Sequence, residues 1–188
     1  MAESSRVRVY MACSLDGFIA GPGDDLSFLH EPEPEGSEPA APAPTEALEY
    51  EAFMSQVGVM LMGRRTHDVV AAMGQWPYGE TPVLVATNRP LEPMADTIST
   101  VTGDITSLIA QAKEVAGEKD VYLDGGLLIR QAIDAGLVDE LCLTYVPILL
   151  GDGVRLFDGL EQQTKLEFVA HHRYGPRMLQ ITMRPRRG

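Results

Sequence analysis

Hydrophobic residues in this chain come in short blocks, each closed by a polar or glycine-rich junction, and the blocks alternate between strand-like runs and stretches with helical spacing. The first block, Arg6 to Ala12, is an extended run that becomes more apolar along its length, with Arg6 and Arg8 placing its beginning at solvent. Val57 to Met62 is apolar throughout, the pattern of a parallel strand covered on both faces. Val83 to Ala86, Asp96 to Val101 and Val121 to Leu123 supply three more strands. Helical spacing runs from a capping Thr45 to about Gln56, with Glu46 and Glu49 near its positive start and Leu48, Phe53 and Met54 among its apolar contacts. A second helix over Ser107 to Ala116 carries Leu108, Ile109, Ala112 and Val115 on one side, and a third runs from Leu127 to near Gly136. Leu137 to Pro147 then reads as a strand, and Leu166 to Arg173 with Met178 to Arg184 as an antiparallel pair around Gly175-Pro176. This order predicts an α/β fold: a single domain with a mainly parallel central sheet and a C-terminal antiparallel hairpin, holding ligands at the carboxyl ends of its strands.

Those strand ends are where the chemistry concentrates. Val121-Tyr-Leu-Asp-Gly-Gly-Leu-Leu passes from strand to helix through Gly125 and Gly126, which lack Cβ atoms and let backbone N–H groups approach an anion closely. The strand ending at Met62 meets Gly63-Arg64-Arg65-Thr66, a junction that combines backbone donors, two guanidinium forks and a hydroxyl able to cap the next helix, with Asp68 in its first turn. The strand ending at Ala86 meets Thr87-Asn88-Arg89. Between Cys13 and Asp25 a turn-rich loop holds apolar Leu15, Phe18 and Ile19, a mixture suited to a mobile cover over a site. Asp16, followed by Gly17, is a turn former there. Residues 31–44 are glutamate- and proline-rich and read as a flexible insertion, and Trp76 as a packed aromatic.

Composition narrows the classes. The 188 residues, 45% hydrophobic and 22% charged, suit one globular domain. With 15 Lys and Arg against 27 Asp and Glu, the net charge of −12 excludes nonspecific binding to nucleic acid or an anionic membrane, so an anionic cofactor needs local arginines. Cys13 and Cys142 have neither metal-type nor disulfide-framework spacing, and the four histidines build no metal site. No signal pattern or membrane-length apolar run is present, which makes a cytoplasmic protein the expectation.

Taken in order, Met11-Ala-Cys-Ser-Leu-Asp-Gly-Phe-Ile-Ala20, Leu61-Met-Gly-Arg-Arg-Thr66, Val85-Ala-Thr-Asn-Arg89, Leu123-Asp-Gly-Gly126 and Leu137-Val-Asp-Glu-Leu141 with Pro147 to Phe157 resemble the dihydrofolate reductase-like superfamily, especially the branch of the riboflavin-biosynthesis reductase domain. The resemblance implies NADPH across the carboxyl ends of the sheet and reduction of a small pterin- or pyrimidine-like heterocycle or a carbonyl compound. By the same resemblance Gly63, Arg64, Arg65 and Thr66 would hold cofactor phosphates, and Thr87, Asn88 and Arg89 would face the adenosine ribose and its 2′-phosphate. Leu123, Gly125 and Gly126, with Leu127 and Leu128 opening the helix, would receive the pyrophosphate, and Ala12, Ile19 and Ala20 would line the nicotinamide end. The catalytic carboxylate of dihydrofolate reductases falls by spacing on Ala47, which leaves Glu46, Glu49 or Glu51 as substitutes; Glu49 is taken as the candidate, with Thr144 in the place of its hydroxyl partner. The resemblance also implies a homodimer. A non-catalytic NADP(H)-binding sensor is the alternative on the same scaffold, and a partner-binding domain using the acidic insertion is a third reading.

Overall fold

The computed structural model describes residues 5–30, 46–174 and 177–186. The insertion at 31–44, the capping role of Thr45 and the turn at Gly175-Pro176 lie outside the described residues. In chain order the elements are β1 (Val7–Ser14), β2 (Phe18–Ala20), α1 (Tyr50–Gln56), β3 (Val57–Gly63), α2 (Arg64–Ala72), β4 (Val83–Ala86) and β5 (Ile98–Val101). There follow α3 (Ile105–Ala116), β6 (Asp120–Asp124), α4 (Gly126–Asp134), β7 (Glu140–Val146), β8 (Val154–Arg155), β9 (Leu166–Tyr174) and β10 (Met178–Pro185).

Eight strands form one sheet in the order β5-β4-β3-β6-β1-β7-β10-β9. Pairings from β5 through to β7 are parallel, and β10 and β9 close the far edge as antiparallel neighbours. Alternation along β3 explains its continuous apolar sequence. Val59 and Leu61 join a core with Ile109 and Ala112 of α3 and Ile129 of α4, whereas Met60 and Met62 face Phe53 of α1 and Tyr122 on the other side. Both faces are therefore dry, and each large side chain buried there contributes about 1.5–3 kcal/mol.

Several boundaries move for identifiable reasons. Residues 46–49 are not helical and α1 begins only at Tyr50. Buried Gln180 holds this approach: its Oε1 accepts from the Leu48 N–H at 2.7 Å and its Nε2 donates to the Leu48 carbonyl at 3.0 Å, so the backbone is bound across the sheet instead of within a helical turn. Helix α3 starts at Ile105, where the Asp104 carboxylate accepts from the Ser107 N–H. Val115, expected on its apolar side, is exposed, and Ala116 is buried in its place. The loop from Cys13 to Asp25 contains β2, which pairs antiparallel with β8 in a second, two-stranded sheet. Such three- and two-residue strands are too short to leave a periodic signal.

The start of β1 also differs from expectation. Arg8 is buried between Glu140 and Asp120, with N···O distances of 2.7 and 3.2 Å, and also donates to Gln56. Burial alone would raise the Asp120 pKa, but hydrogen bonds and charge from Arg6 and Arg8 hold it below the ordinary value. This ionic cluster occupies the amino ends of the strands and leaves the carboxyl ends to the cleft.

Candidate functional site

At those carboxyl ends lies a cleft of about 560 Å³. Met11 and Ala12 from β1 and Ile19 and Ala20 from β2 form one wall. Gly63, Arg64, Arg65 and Thr66 open α2 on a second side, and Gly125, Gly126, Leu127 and Leu128 open α4 on a third. Eleven residues singled out from the sequence thus meet around one space. Of the remainder, Leu123 is fully buried beneath the cleft, and Thr87 to Arg89 make a separate exposed turn in which the Arg89 N–H donates to Thr87 Oγ1. That turn stands at the rim, because Arg64 donates to the carbonyl of Pro90 at 2.8 Å while its Nε donates to Asp68 at 2.7 Å.

The α2 junction is built differently from the sequence expectation. Gly63 occupies the N-cap and no side chain caps either α2 or α4, so Thr66 lies within the first turn and Asp68 just beyond it. Backbone donors at both helix starts are left for a ligand. Gly125 takes φ +95°, and a Cβ there would stand 2.7 Å from Thr66 Oγ1. Only glycine allows the two helix starts to come this close. Arg65 pairs with Asp24 at 2.7 Å, and Arg130 donates to the carbonyl of Arg155. Uncapped helix starts, a glycine cradle and arginine forks form a donor set suited to phosphate groups.

The proposed catalytic pair is not in this space. Glu49 is exposed at the N-cap of α1, beside Tyr174, whose hydroxyl pKa is raised by burial and by its hydrogen bond to Glu49. Thr144 is buried in β7 between Ala12 and Gln180 and does not line the cleft. The short α1 is the reason: with residues 46–49 held by Gln180, no helical turn carries a glutamate inward.

A carboxylate does line the cleft, at a position that helical counting could not reach. Asp124 ends β6, is buried, and accepts from the Gly125 N–H at 2.7 Å. Burial pushes its pKa up to about 6, against the pull of that single hydrogen bond. Its charge in turn raises the hydroxyl pKa values of Tyr50, Tyr78 and Tyr122, each already raised by burial, so these phenols remain protonated donors. The sequence signal was present in the alternation Tyr122-Leu123-Asp124, which puts tyrosine and aspartate on one face of a strand whose end meets the glycine turn.

Asp16, by contrast, is a fastener. Its carboxylate accepts from Ser14 Oγ at 2.6 Å and from the N–H groups of Leu150 and Gly151, and the Ser14 hydrogen bond leads in holding its pKa at about 2. With Arg155 stacked 4.2 Å from the Phe18 ring, it fixes the β1–β2 loop against residues 147–157. Trp76 is half-buried, edge-on to Tyr78, and outside the lining. Among the described residues there is no group of three or more His, Cys, Asp or Glu that could hold a metal ion, and no helix long and apolar enough to cross a membrane.

Comparison with known proteins bears on the family and the fold. The RibD C-terminal domain family matches residues 5–180. The Bacillus subtilis protein YwjB, itself uncharacterized, is 26% identical over 168 residues, 89% of this chain and 91% of that one. A Shewanella sp. PV-4 structure, provisionally named a riboflavin biosynthesis protein, is 31% identical with a TM-score of 0.81 over 97% of this chain and 99% of its own. At 16% and 15% identity the likeness is one of fold. The Thermotoga maritima diaminohydroxyphosphoribosylaminopyrimidine deaminase/5-amino-6-(5-phosphoribosylamino)uracil reductase gives a TM-score of 0.66 over 98% of this chain and 57% of that one. Enterococcus faecalis dihydrofolate reductase complexed with NADP(H) gives 0.64 over 98% of each. The fold is the single α/β, dihydrofolate reductase-like one that the strand-end motifs imply.

Proposed function

As this chain belongs to the RibD C-terminal domain family and carries its reductase-like scaffold, we propose that it is an NADPH-dependent oxidoreductase acting on a small heterocyclic or carbonyl compound. The observation that carries the reading is Asp124: a buried carboxyl that holds its proton to about pH 6, in the same cleft as two uncapped helix starts. Bound NADPH supplies the hydride. The first-turn N–H groups of α2 and α4 hold phosphate, Arg64 and Arg65 neutralise its charge, and Arg89 at the rim selects the additional 2′-phosphate. Met11, Ile19 and Ala20 present an apolar wall that excludes water from the reacting end. Asp124 donates the proton that must accompany reduction at a nitrogen or oxygen, and the Tyr78 hydroxyl, which lines the same cleft, donates a hydrogen bond to the substrate.

The test is NADPH consumption on a panel of reduced pterins, pyrimidines and small carbonyl compounds, with Asp124→Asn beside the wild type. Turnover with at least one class, reduced by about 10²-fold or more in the variant, supports the proposal. The placement of Glu49 and Thr144 outside the cleft favours a second reading, a non-catalytic NADP(H)-binding protein. It predicts cofactor binding with no turnover on the whole panel.

A further inference from the structure

Helix α2 carries a buried histidine one turn behind its leading arginine. The His67 ring packs 5.9 Å from the indole of Trp76, at an interplanar angle of 49°. Trp76 in turn meets Tyr78 edge-on at 5.0 Å, and Tyr78 lines the cleft. On its other side His67 Nδ1 stands 3.2 Å from Asp68 Oδ1, the same oxygen that accepts from Arg64 Nε at 2.7 Å. One chain of contacts therefore runs from the cleft wall through Trp76, His67 and Asp68 to Arg64, which opens α2 at the phosphate end.

The chemistry of these groups sets the direction of each bond. Desolvation works against the Asp68 charge, but hydrogen bonds from Arg64 and His67 outweigh it and hold its pKa below the ordinary value, so the carboxylate only accepts. His67 Nδ1 must then carry the hydrogen, which leaves Nε2 of the neutral ring as an acceptor. Among the described residues buried Nε2 has no hydrogen-bond partner, and neither has the buried indole N–H of Trp76. An indole N–H only donates, so an orphan acceptor and an orphan donor sit in neighbouring rings, each costly while unpaired. A small rotation of either ring joins them. Asp68 then holds Arg64 Nε from a carboxylate that is itself pinned, and the Pro90 carbonyl takes Nη1 at 2.8 Å. With two points of a rigid planar fork fixed, its remaining N–H groups have one orientation.

We propose that His67 is a positioning residue for the cofactor phosphate: its Nδ1–H fixes Asp68 and, through Asp68, the Arg64 guanidinium, while Trp76 holds the imidazole in place. The inference rests on the reductase reading for the identity of the ligand. Its geometric half, that His67 orders Arg64, is read without any ligand.

The experiment compares the full chain with His67→Phe, His67→Asn and His67→Gln, by NADPH titration and by NMR of the arginine Nε–H groups, with melting curves to establish folding. Phenylalanine keeps a ring against Trp76 and removes both nitrogens, asparagine returns an N–H near Nδ1, and glutamine returns its amide near Nε2. His67→Phe should weaken NADPH binding about threefold to tenfold. His67→Asn should restore most of the loss and His67→Gln should not. In an Arg64→Ala background His67→Phe should change affinity by less than about twofold, because the group it positions is gone. Without ligand, the Arg64 Nε–H signal, assigned by its loss in Arg64→Ala, should exchange slowly in the wild type and His67→Asn and disappear in His67→Phe. Unchanged affinity in a folded His67→Phe variant, an equal loss in the Arg64→Ala background, or an Nε–H signal indifferent to His67 overturns the inference. Should His67→Phe fail to fold, equal behaviour of His67→Asn and His67→Gln overturns it. If the wild type binds no NADPH, the reductase reading fails, and the Nε–H signals alone decide whether His67 orders Arg64.

Discussion

Thr66 Oγ1 lies 2.7 Å from the point where a Cβ on Gly125 would stand, so the first turn of α2 and the approach to α4 touch across a gap that no side chain can enter. Because Gly125 also takes φ +95°, Gly125→Ala combines a steric clash with backbone strain. It should lower stability by roughly 1–3 kcal/mol and weaken NADPH binding by about tenfold or more. Adding Thr66→Ala should recover part of the stability, because it removes the clash and leaves the strain. Denaturant melts and cofactor titrations of the single and double variants check this.

Asp124 gives a pH dependence with a definite sign. Its folded pKa of about 6 lies above the ordinary value of 3.8, so between these values the folded protein binds more proton than the unfolded chain. Asp124 therefore opposes folding increasingly as pH rises from about 4 to 6, and the penalty, roughly 2–3 kcal/mol, is complete above pH 6. Asp124→Asn keeps an oxygen for the Gly125 N–H and removes the charge. The variant should be more stable than the wild type at neutral pH, with the difference shrinking toward pH 4, while turnover falls. Melting curves across this range, set beside rates, separate a site carboxylate from a purely structural one.

Asp24 is the one non-glycine residue with positive φ among the described residues, at +63°, and its carboxylate occupies the Arg65 fork at 2.7 Å. An anionic cofactor has to compete with it. Asp24→Asn tolerates the same backbone and removes the competitor, so NADPH affinity should rise about threefold to tenfold at low salt. The gain should fade as salt is added. A loss of affinity would show instead that the pair holds the cover in its binding conformation.

At the other end of the sheet, Arg8→Met should cost roughly 3 kcal/mol by leaving Asp120 and Glu140 buried with less compensation. Because this cluster sits at the amino ends of the strands, the activity of the protein that remains folded should be unchanged. Urea melts and rates normalised to folded protein check both halves.

Legibility in the sequence followed the range of the interactions involved. Continuous apolar runs such as Val57 to Met62 declare a strand buried on both faces, and glycine or arginine at strand ends declares where ligands go, because both signals are local. The short α1 was not legible: it depends on Gln180, which reaches Leu48 across 132 residues. The search for an acid on that helix consequently led to Glu49. Asp124 stood in plain view inside a glycine motif, and its burial beside Tyr78 and Tyr122 depends on elements distant in sequence. Arg8 likewise reads as a solvent-facing start until Glu140 and Asp120 close around it.

The most direct test of the central claim is a parallel titration of the purified protein with NADPH and NADH, following Trp76 fluorescence and melting temperature, with Arg64→Ala and Arg89→Ala alongside. Binding to the folded state raises the melting temperature by mass action. The account predicts that NADPH binds about tenfold or more tightly than NADH and that Arg89→Ala removes most of that preference, while Arg64→Ala weakens both. Absence of binding by either nucleotide would contradict it and leave a reductase scaffold put to another use.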